Sequence, residues 1–222
     1  MLSLILAESS LELVPKELQA HNSIVSHCKK VGKKPSEILL DNSWHFAAMK
    51  GIKNELKRGR PDLVHISLLA ACSTPLYLGN KIRIYIHTIN DNVIVLGKEV
   101  RIPKSYHRFA GVIEQLFKDN TVKADDKTLF ELKEMNFDQL LDTIKPEQVI
   151  GLSTEGTLGT YESVAKKLGD KSCIIIGGFQ KGHFSNSIKK RITDLIKINE
   201  NPLESHVVIG RILYEYEKTI FM

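Results

Sequence analysis

Cys173-Ile174-Ile175-Ile176-Gly177-Gly178-Phe179-Gln180-Lys181-Gly182 decides how this chain folds. Four apolar residues run straight into a glycine-rich turn, the pattern of a strand that ends abruptly. The flanks repeat the arrangement. Upstream, Val149–Leu152 is a short apolar strand running into Ser153-Thr154-Glu155-Gly156, and Tyr161–Leu168 has helical spacing. Downstream, Thr193–Ile198 is another short strand, running into Asn199-Glu200-Asn201-Pro202-Leu203, and Glu204–Lys218 closes as an amphipathic helix. Strands alternating with helices predict an α/β fold on a mainly parallel sheet.

The rest of the chain extends the pattern. Leu2–Ala7 reads as a buried first strand, and Glu17–Lys30 as a helix stopped near Gly32. Ile38-Leu39-Leu40 is a short strand ending at Asp41-Asn42-Ser43, one of which caps a helix carrying Trp44, Phe46 and Met49, with Trp44 in the core. Asp62 is expected to cap the next helix, whose apolar face is Leu63, Ile66, Leu69 and Ala70. Lys81–His87 alternates strictly and pairs across Asn90-Asp91-Asn92 with Val93–Leu96, giving a hairpin over residues 81–96. A proline-led helix follows to Asp119, with Phe109, Val112, Ile113, Leu116 and Phe117 inside. Residues 120–145 are polar and are expected to be the variable or mobile part.

Composition narrows the class without deciding it. The 222 residues can bury a real core, and 42% hydrophobic with 26% charged residues is ordinary for a globular protein. A net charge of +5 permits an acidic partner without demanding one. Cys28, Cys72 and Cys173 form no CxxC pair, so neither a disulfide framework nor a metal site is expected; buried reduced thiols fit a cytoplasmic location. Glu8 follows the opening Met-Leu-Ser-Leu-Ile-Leu-Ala too soon for a signal peptide, and no apolar run approaches the roughly 20 residues of a membrane span.

Two basic segments stand out: Lys57-Arg58-Gly59-Arg60-Pro61-Asp62 and Arg101-Ile102-Pro103-Lys104-Ser105-Tyr106-His107-Arg108-Phe109. Each sets cations around a proline ahead of a helical pattern. A rigid corner of that kind suits bidentate recognition of phosphate by arginine. The residues alone equally describe an Arg60–Asp62 surface ion pair and a solvated face of Arg101, Lys104 and Arg108. Likewise, the loops after the three C-terminal strands read on their own as ordinary turns. Gly177–Gly182 is neither a P-loop nor a dinucleotide fingerprint. His65 and His87 sit in apolar patterns as core histidines, and His21 and His27 lack the spacing of a metal-binding pair. Ser153 lacks a nucleophile-elbow context. Tyr77, Tyr85 and Tyr106 are either base-stacking or packed.

The phrases Arg58-Gly59-Arg60-Pro61-Asp62-Leu63-Val64-His65-Ile66-Ser67-Leu68-Leu69, then Tyr85-Ile86-His87-Thr88, then Arg101–Gly111, occur in that order. In this the chain resembles the Nep-type small-subunit ribosome biogenesis factors, ribosomal RNA pseudouridine-N1-specific methyltransferases of the SPOUT class. The resemblance runs from about Leu2 to the C-terminus. The chain starts at its first strand, as in a compact archaeal-type member.

That resemblance implies a single SPOUT-type domain over residues 1–222, with residues 81–96 as a hairpin insertion and residues 146–222 as a trefoil-knotted part holding S-adenosyl-L-methionine. The loop positions that match the family's cofactor site are Leu152, Gly177, Gly182, Ile198, Asn199, Glu200, Asn201, Pro202 and Leu203. Ile198–Leu203 departs from the family's serine- and tyrosine-bearing loop but keeps Pro202-Leu203. The positions matching its RNA-binding cations are Arg60, Arg101, Lys104 and Arg108, with Lys104 where arginine is usual. Asp62 matches a residue that orients Arg60 and is a lesser candidate for general base. A homodimer is implied, with Val207, Val208, Ile212, Leu213 and Tyr216 of the closing helix as a dimer element. The implied reaction is methylation of a pseudouridine N1 in small-subunit (16S-type) ribosomal RNA. The alternatives are an RNA-binding assembly factor with methylation secondary or absent, and a transfer-RNA enzyme of the same class.

Overall fold

The computed structural model describes residues 1–221. The strands are β1 (Leu2–Ser9), β2 (Ile82–Thr88), β3 (Asn92–Leu96), β4 (Thr121–Ala124), β5 (Lys127–Glu134), β6 (Gln148–Leu158), β7 (Ser172–Gly177) and β8 (Asp194–Lys197). They form one mixed sheet in the order β4-β5-β3-β2-β1-β7-β6-β8. β1 runs parallel to β2 and β7, and β6 runs parallel to β7 and β8. The β2–β3, β3–β5 and β4–β5 pairs are antiparallel. The parallel part therefore occupies one side of the sheet and ends at β2.

Helices are α1 (Asn22–Val31), α2 (Asn42–Met49), α3 (Pro61–Cys72), α4 (Pro75–Leu78), α5 (Tyr106–Asp119), α6 (Phe137–Ile144), α7 (Tyr161–Ala165), α8 (Asn186–Lys189) and α9 (Ser205–Phe221). Both faces of the central strands are covered, which is why their sequences read as unbroken apolar runs. Leu4, Leu6, Ile174 and Ile176 point to a core shared with Val64, Leu68, Phe109, Ile113, Ile209 and Ile212 of α3, α5 and α9. The alternate residues Ile5, Ala7, Cys173 and Ile175 meet Phe137, Leu140 and Ile188 of α6 and α8 on the other side. A smaller cluster of Ile24, Cys28, Leu40, Ala48 and Met49 supports α1 and α2.

Several expectations change. Residues 81–96 do form a hairpin, but β2 is also the parallel neighbour of β1, so the hairpin extends the main sheet. Ile38–Leu40 makes only an isolated bridge, Leu13 to Leu39, although all three side chains are buried. Residues 120–145 form the β4–β5 hairpin and α6, whose cap is a reciprocal Asn136–Gln139 pair. The strand β5 is masked in the sequence by its charges, and only Phe130 is fully buried there. Trp44 is not core; it is 44% exposed, because α2 is short and buries His45, Ala48 and Met49 instead. On α3, Ile66 is exposed and the buried stripe is Leu63, Val64, Leu68, Ala71 and Cys72. Arg60, not Asp62, holds the cap position of α3. Pro61 opens that helix without an N–H to satisfy, which leaves the Asp62 carboxylate free for Arg60.

In α9, Val208, Ile212, Leu213 and Tyr216 are buried within the chain's own core, and Val207 is half-buried. Those side chains are therefore not a free dimer face. The exposed large apolar side chains of α9 are Tyr214, Ile220 and Phe221. No described helix is long and apolar enough to cross a membrane.

Candidate functional site

Three strand ends and the start of α9 enclose a cleft of about 450 Å³. Leu152, Ser153 and Thr154 come from β6, Ile176–Gly177 and Phe179–Phe184 from the end of β7 and its loop, and Ile198, Asn199, Asn201, Pro202 and Leu203 from the loop after β8. The cleft lies at the carboxyl ends of parallel strands, where open α/β sheets bind ligands.

Of the nine positions singled out from the sequence, the structure brings together Leu152, Gly177, Gly182, Ile198, Asn199, Asn201, Pro202 and Leu203. Glu200 stands apart, pairing with Lys197 at 2.9 Å. Sequence reasoning passed over Phe179, His183, Phe184, Ser205 and Val208, which also line the cleft. For Ser205 no local signal existed, since its place depends on where α9 begins. The first of the three loops is a bulge rather than a turn. β6 continues through Ser153–Gly156, and its register to β8 jumps between Leu152 and Thr157. At Gly156 a Cβ would stand 2.6 Å from backbone carbons of Leu195 and Ile196, so only glycine lets the two strands approach there.

The central loop is held by backbone. The Gly178 N–H donates to the Ala7 carbonyl at 2.9 Å, and the Ser10 N–H donates to the Gly178 carbonyl at 2.8 Å. Ser205 Oγ donates to the Gly177 carbonyl at 2.6 Å, which fixes the start of α9 against the loop. Gly182 adopts φ +111°, in the region that favours glycine. At the rim, Glu155 meets Lys189 at 2.8 Å and His183 at 3.7 Å. The Lys189 hydrogen bond holds its carboxyl below the usual range.

The first basic segment packs directly on this loop. Lys57 Nζ lies 4.5 Å from the Phe179 ring centre and 2.7 Å from Glu8 Oε2, and the Lys181 N–H donates to the Leu56 carbonyl at 3.3 Å. Its two arginines differ in role. Arg58 makes a two-point bond with Glu12, at 2.6 and 2.7 Å, with side chains only 10% and 3% exposed. Arg60 makes the same fork with Asp62, both bonds at 2.8 Å, but at the surface. Both Asp62 oxygens are thus committed to Arg60, and that hydrogen bond raises the guanidinium further above its ordinary value.

The second segment is anchored rather than helical. Only Arg108 lies on α5; Arg101 and Lys104 precede it on an irregular stretch, so the three do not share one helix face. Buried Ile102 and a 2.6 Å contact between His65 Nε2 and the Pro103 carbonyl hold that stretch on α3. Arg101, Lys104 and Arg108 are all exposed, and none forms an ion pair among the described residues. Tyr106 is packed, donating its hydroxyl to Asp41 Oδ2. Tyr77 is also packed, donating to the Val100 carbonyl at 3.1 Å. His65 and His87 are buried and hydrogen-bonded, as expected of core histidines. Cys28, Cys72 and Cys173 are buried free thiols, and burial pushes Cys72 and Cys173 up to about 12.

The sequence profile of the EMG1/NEP1 methyltransferase family matches residues 4–217. The chain belongs to the EMG1/NEP1 methyltransferase family. It is 40% identical over 222 residues to the ribosomal RNA small subunit methyltransferase Nep1 of Thermococcus sibiricus, covering 99% of both chains. It is 42% identical over 214 residues to the Nep1 of Staphylothermus marinus, covering 96% of this chain and 93% of the other. The structure is similar to that of Archaeoglobus fulgidus Nep1 bound to S-adenosylhomocysteine, with a TM-score of 0.87, 31% identity and 97% of each chain covered. In this EMG1/NEP1 member the loop-lined cleft and the segment carrying Arg60 meet at Phe179 and Lys57.

Proposed function

We propose that this chain methylates small-subunit ribosomal RNA with S-adenosylmethionine as the donor, and that the acceptor is N1 of a pseudouridine. The observation that carries the reading is the packing of the Arg60 segment on the cleft loop through Lys57 and Phe179. An RNA held by the basic surface is thereby brought beside the cleft.

The residues fit the donor. A cleft of about 450 Å³ falls within the roughly 300–1,000 Å³ of small-molecule sites. Its apolar walls, Leu152, Ile176, Leu203 and Val208, suit an adenosine, while the Gly177–Gly182 and Asn199–Leu203 loops offer backbone polar groups close at hand. When bound, S-adenosylmethionine supplies an electrophilic methyl group. Leu152, Gly177, Gly182 and Ile198–Leu203 form its site; Glu200 contributes through its backbone, since its side chain is turned to Lys197. In this reading residues 146–222, the last of which lies outside the described residues, form the knotted part of a single SPOUT-type domain.

Arg60, Arg101, Lys104 and Arg108 hold RNA phosphates. Asp62 keeps the Arg60 fork fixed and leaves the outer guanidinium donors for a phosphate oxygen. With both oxygens so engaged, Asp62 orients rather than takes a proton. The main demand on the protein is then alignment of nitrogen and methyl carbon, worth up to roughly 7–11 kcal/mol in ideal cases. The chain acts as a homodimer through the outer face of α9, with Tyr214, Ile220 and Phe221. Three buried thiols suit a reducing cytoplasm.

The test is transfer of labelled methyl to two matched RNA hairpins, one with pseudouridine and one with uridine in the loop. Label on the pseudouridine hairpin alone is expected. Label on both would overturn the N1 assignment, and label on neither, with RNA still bound, would leave an assembly factor. Light scattering across a concentration series checks the dimer; a monomer throughout would remove it.

A further inference from the structure

Trp44 and Phe46, on opposite flanks of α2, are 44% and 57% exposed. Single exposed apolar residues are ordinary. Two aromatic rings within one helical turn, each with its own lysine, are not explained that way. Lys30 Nζ lies 4.6 Å from the Trp44 ring centre, and Lys50 Nζ lies 5.4 Å from that of Phe46. The indole is also held flat against His27, with centroids 4.6 Å and planes 8° apart. His27 is fixed in turn, its Nδ1 2.9 Å from Nε2 of buried His45. The ring is therefore preorganised as well as exposed.

The surroundings are basic. Residues 26–53 contain six lysines and two carboxylates, Glu37 and Asp41. Asp41 is buried and occupied by the Ser43 N–H and the Tyr106 hydroxyl. The patch is also continuous with both basic segments. The Asn42 N–H donates to the Gly59 carbonyl at 2.8 Å, and the Asp41–Tyr106 bond ties α2 to the start of α5.

We propose that Trp44 with Lys30 on one flank of α2, and Phe46 with Lys50 on the other, form a two-part stacking platform for unpaired nucleotides flanking the methylated loop, a second RNA contact beyond the arginine surface. It rests on the reading that the basic segments bind RNA. Exposed aromatic faces with lysines beside them are what sequence-tolerant recognition of single strands requires: the rings take bases and the ammonium groups take the phosphates between them.

Trp44 is the only tryptophan, so its emission reports the platform directly. The full chain is titrated with a target hairpin and with the same hairpin carrying single-stranded extensions, following both tryptophan emission and anisotropy of labelled RNA. The extended RNA is expected to quench the emission and to bind roughly tenfold more tightly than the hairpin. Trp44→Ala should bring that affinity ratio towards one, Trp44→Phe should keep most of it, and Lys30→Ala with Lys50→Ala should flatten the salt dependence for the extended RNA only. A thermal melt of each variant separates unfolding from loss of contact. Tight hairpin binding with no added affinity or quenching from the extensions would remove the platform alone. Binding of neither RNA would remove the arginine reading and the platform with it. A change of emission with protein concentration in the absence of RNA would assign the patch to a second copy of the chain and overturn the proposal.

Discussion

The Lys57 ammonium rests 4.5 Å from the centre of the Phe179 ring, joining the segment that carries Arg60 to the wall of the cleft. Glu8 holds it there at 2.7 Å and also accepts the Ser185 N–H at 3.2 Å, closing the far end of the same loop. Glu8 does so from a left-handed backbone conformation, φ 49°, that disfavours a glutamate. With side chains 15% and 9% exposed, the pair is nearly buried. Removing one partner of a buried pair costs about 3–5 kcal/mol, because the other charge is left uncompensated. Glu8→Gln should lower the urea midpoint and weaken S-adenosylhomocysteine binding by calorimetry. Adding Lys57→Met should restore part of the stability but not the binding. Unchanged binding in both variants would show that the loop is set without this contact.

Gly178 offers a sharper steric test. A Cβ there would stand 2.8 Å from both Cα and Cβ of Ser9, at the point where the loop after β7 bonds to the end of β1. Gly178→Ala is expected to cost about 1–3 kcal/mol, as overpacking does. It should also reduce ligand affinity through displacement of the Gly177 carbonyl from Ser205. Gly210→Ala on α9 is the control, since nothing lies within 4 Å of its added methyl. That change should be neutral or stabilising by about 0.5–1 kcal/mol. Denaturant melts of the two variants decide between packing and a general intolerance of substitution.

What was legible in the sequence follows from what is local. β1 and β7 announce themselves because both faces are buried, and every residue from Leu2 to Ala7 and from Cys173 to Ile176 reports it. The hairpin of β4 and β5 was missed because most of its side chains face water, leaving Phe130 as its one deep anchor. Trp44 was misplaced because apolar character was equated with burial, whereas α2 presents its indole outward beside His27 and Lys30. The cleft positions emerged from the ends of apolar strands and from motif resemblance. Ser205 and Val208 did not, because a helix that begins 28 residues after Gly177 reaches the loop only in three dimensions. The difference between Arg58 and Arg60 was likewise invisible, since Glu12 lies 46 residues from Arg58 in the chain.

That difference predicts opposite phenotypes for adjacent arginines. Arg58→Met strands the buried Glu12 carboxylate, which is 3% exposed. A loss of about 3–5 kcal/mol in folding stability is expected. Arg60→Met removes a surface fork to Asp62 that contributes about 0–1 kcal/mol to folding. Its cost should appear in RNA affinity, with a shallower salt dependence as one phosphate contact is lost. Chemical denaturation and RNA anisotropy on the two variants should therefore separate cleanly. A large loss of stability at Arg60, or a loss of RNA affinity without unfolding at Arg58, would reverse the assignment.

Acid sensitivity should centre on the pair that supports Trp44. His45 Nδ1 accepts the Asp41 N–H at 3.0 Å, so its remaining proton sits on Nε2, facing His27 Nδ1 at 2.9 Å. Both acceptor nitrogens are lost on protonation. Burial, reinforced by His27 and opposed by Asp41, lowers His45 from 6.5 to about 4, and burial lowers His27 as well. The unfolded chain therefore binds a proton between about pH 4 and 6.5 that the folded chain refuses. Where the unfolded state holds more protons, stability rises with pH. The contribution is complete above pH 6.5 and is lost as the pH falls towards 4, amounting to roughly 3 kcal/mol for His45 alone. His87 is lowered too, by burial, and shares the sign, so the slope will shrink rather than vanish in His45→Gln. Urea melts of both proteins across that interval give the comparison, and Trp44 emission reports whether the His27 stack loosens in the same range. Equal slopes for the two proteins would mean that His45 is not the group that titrates.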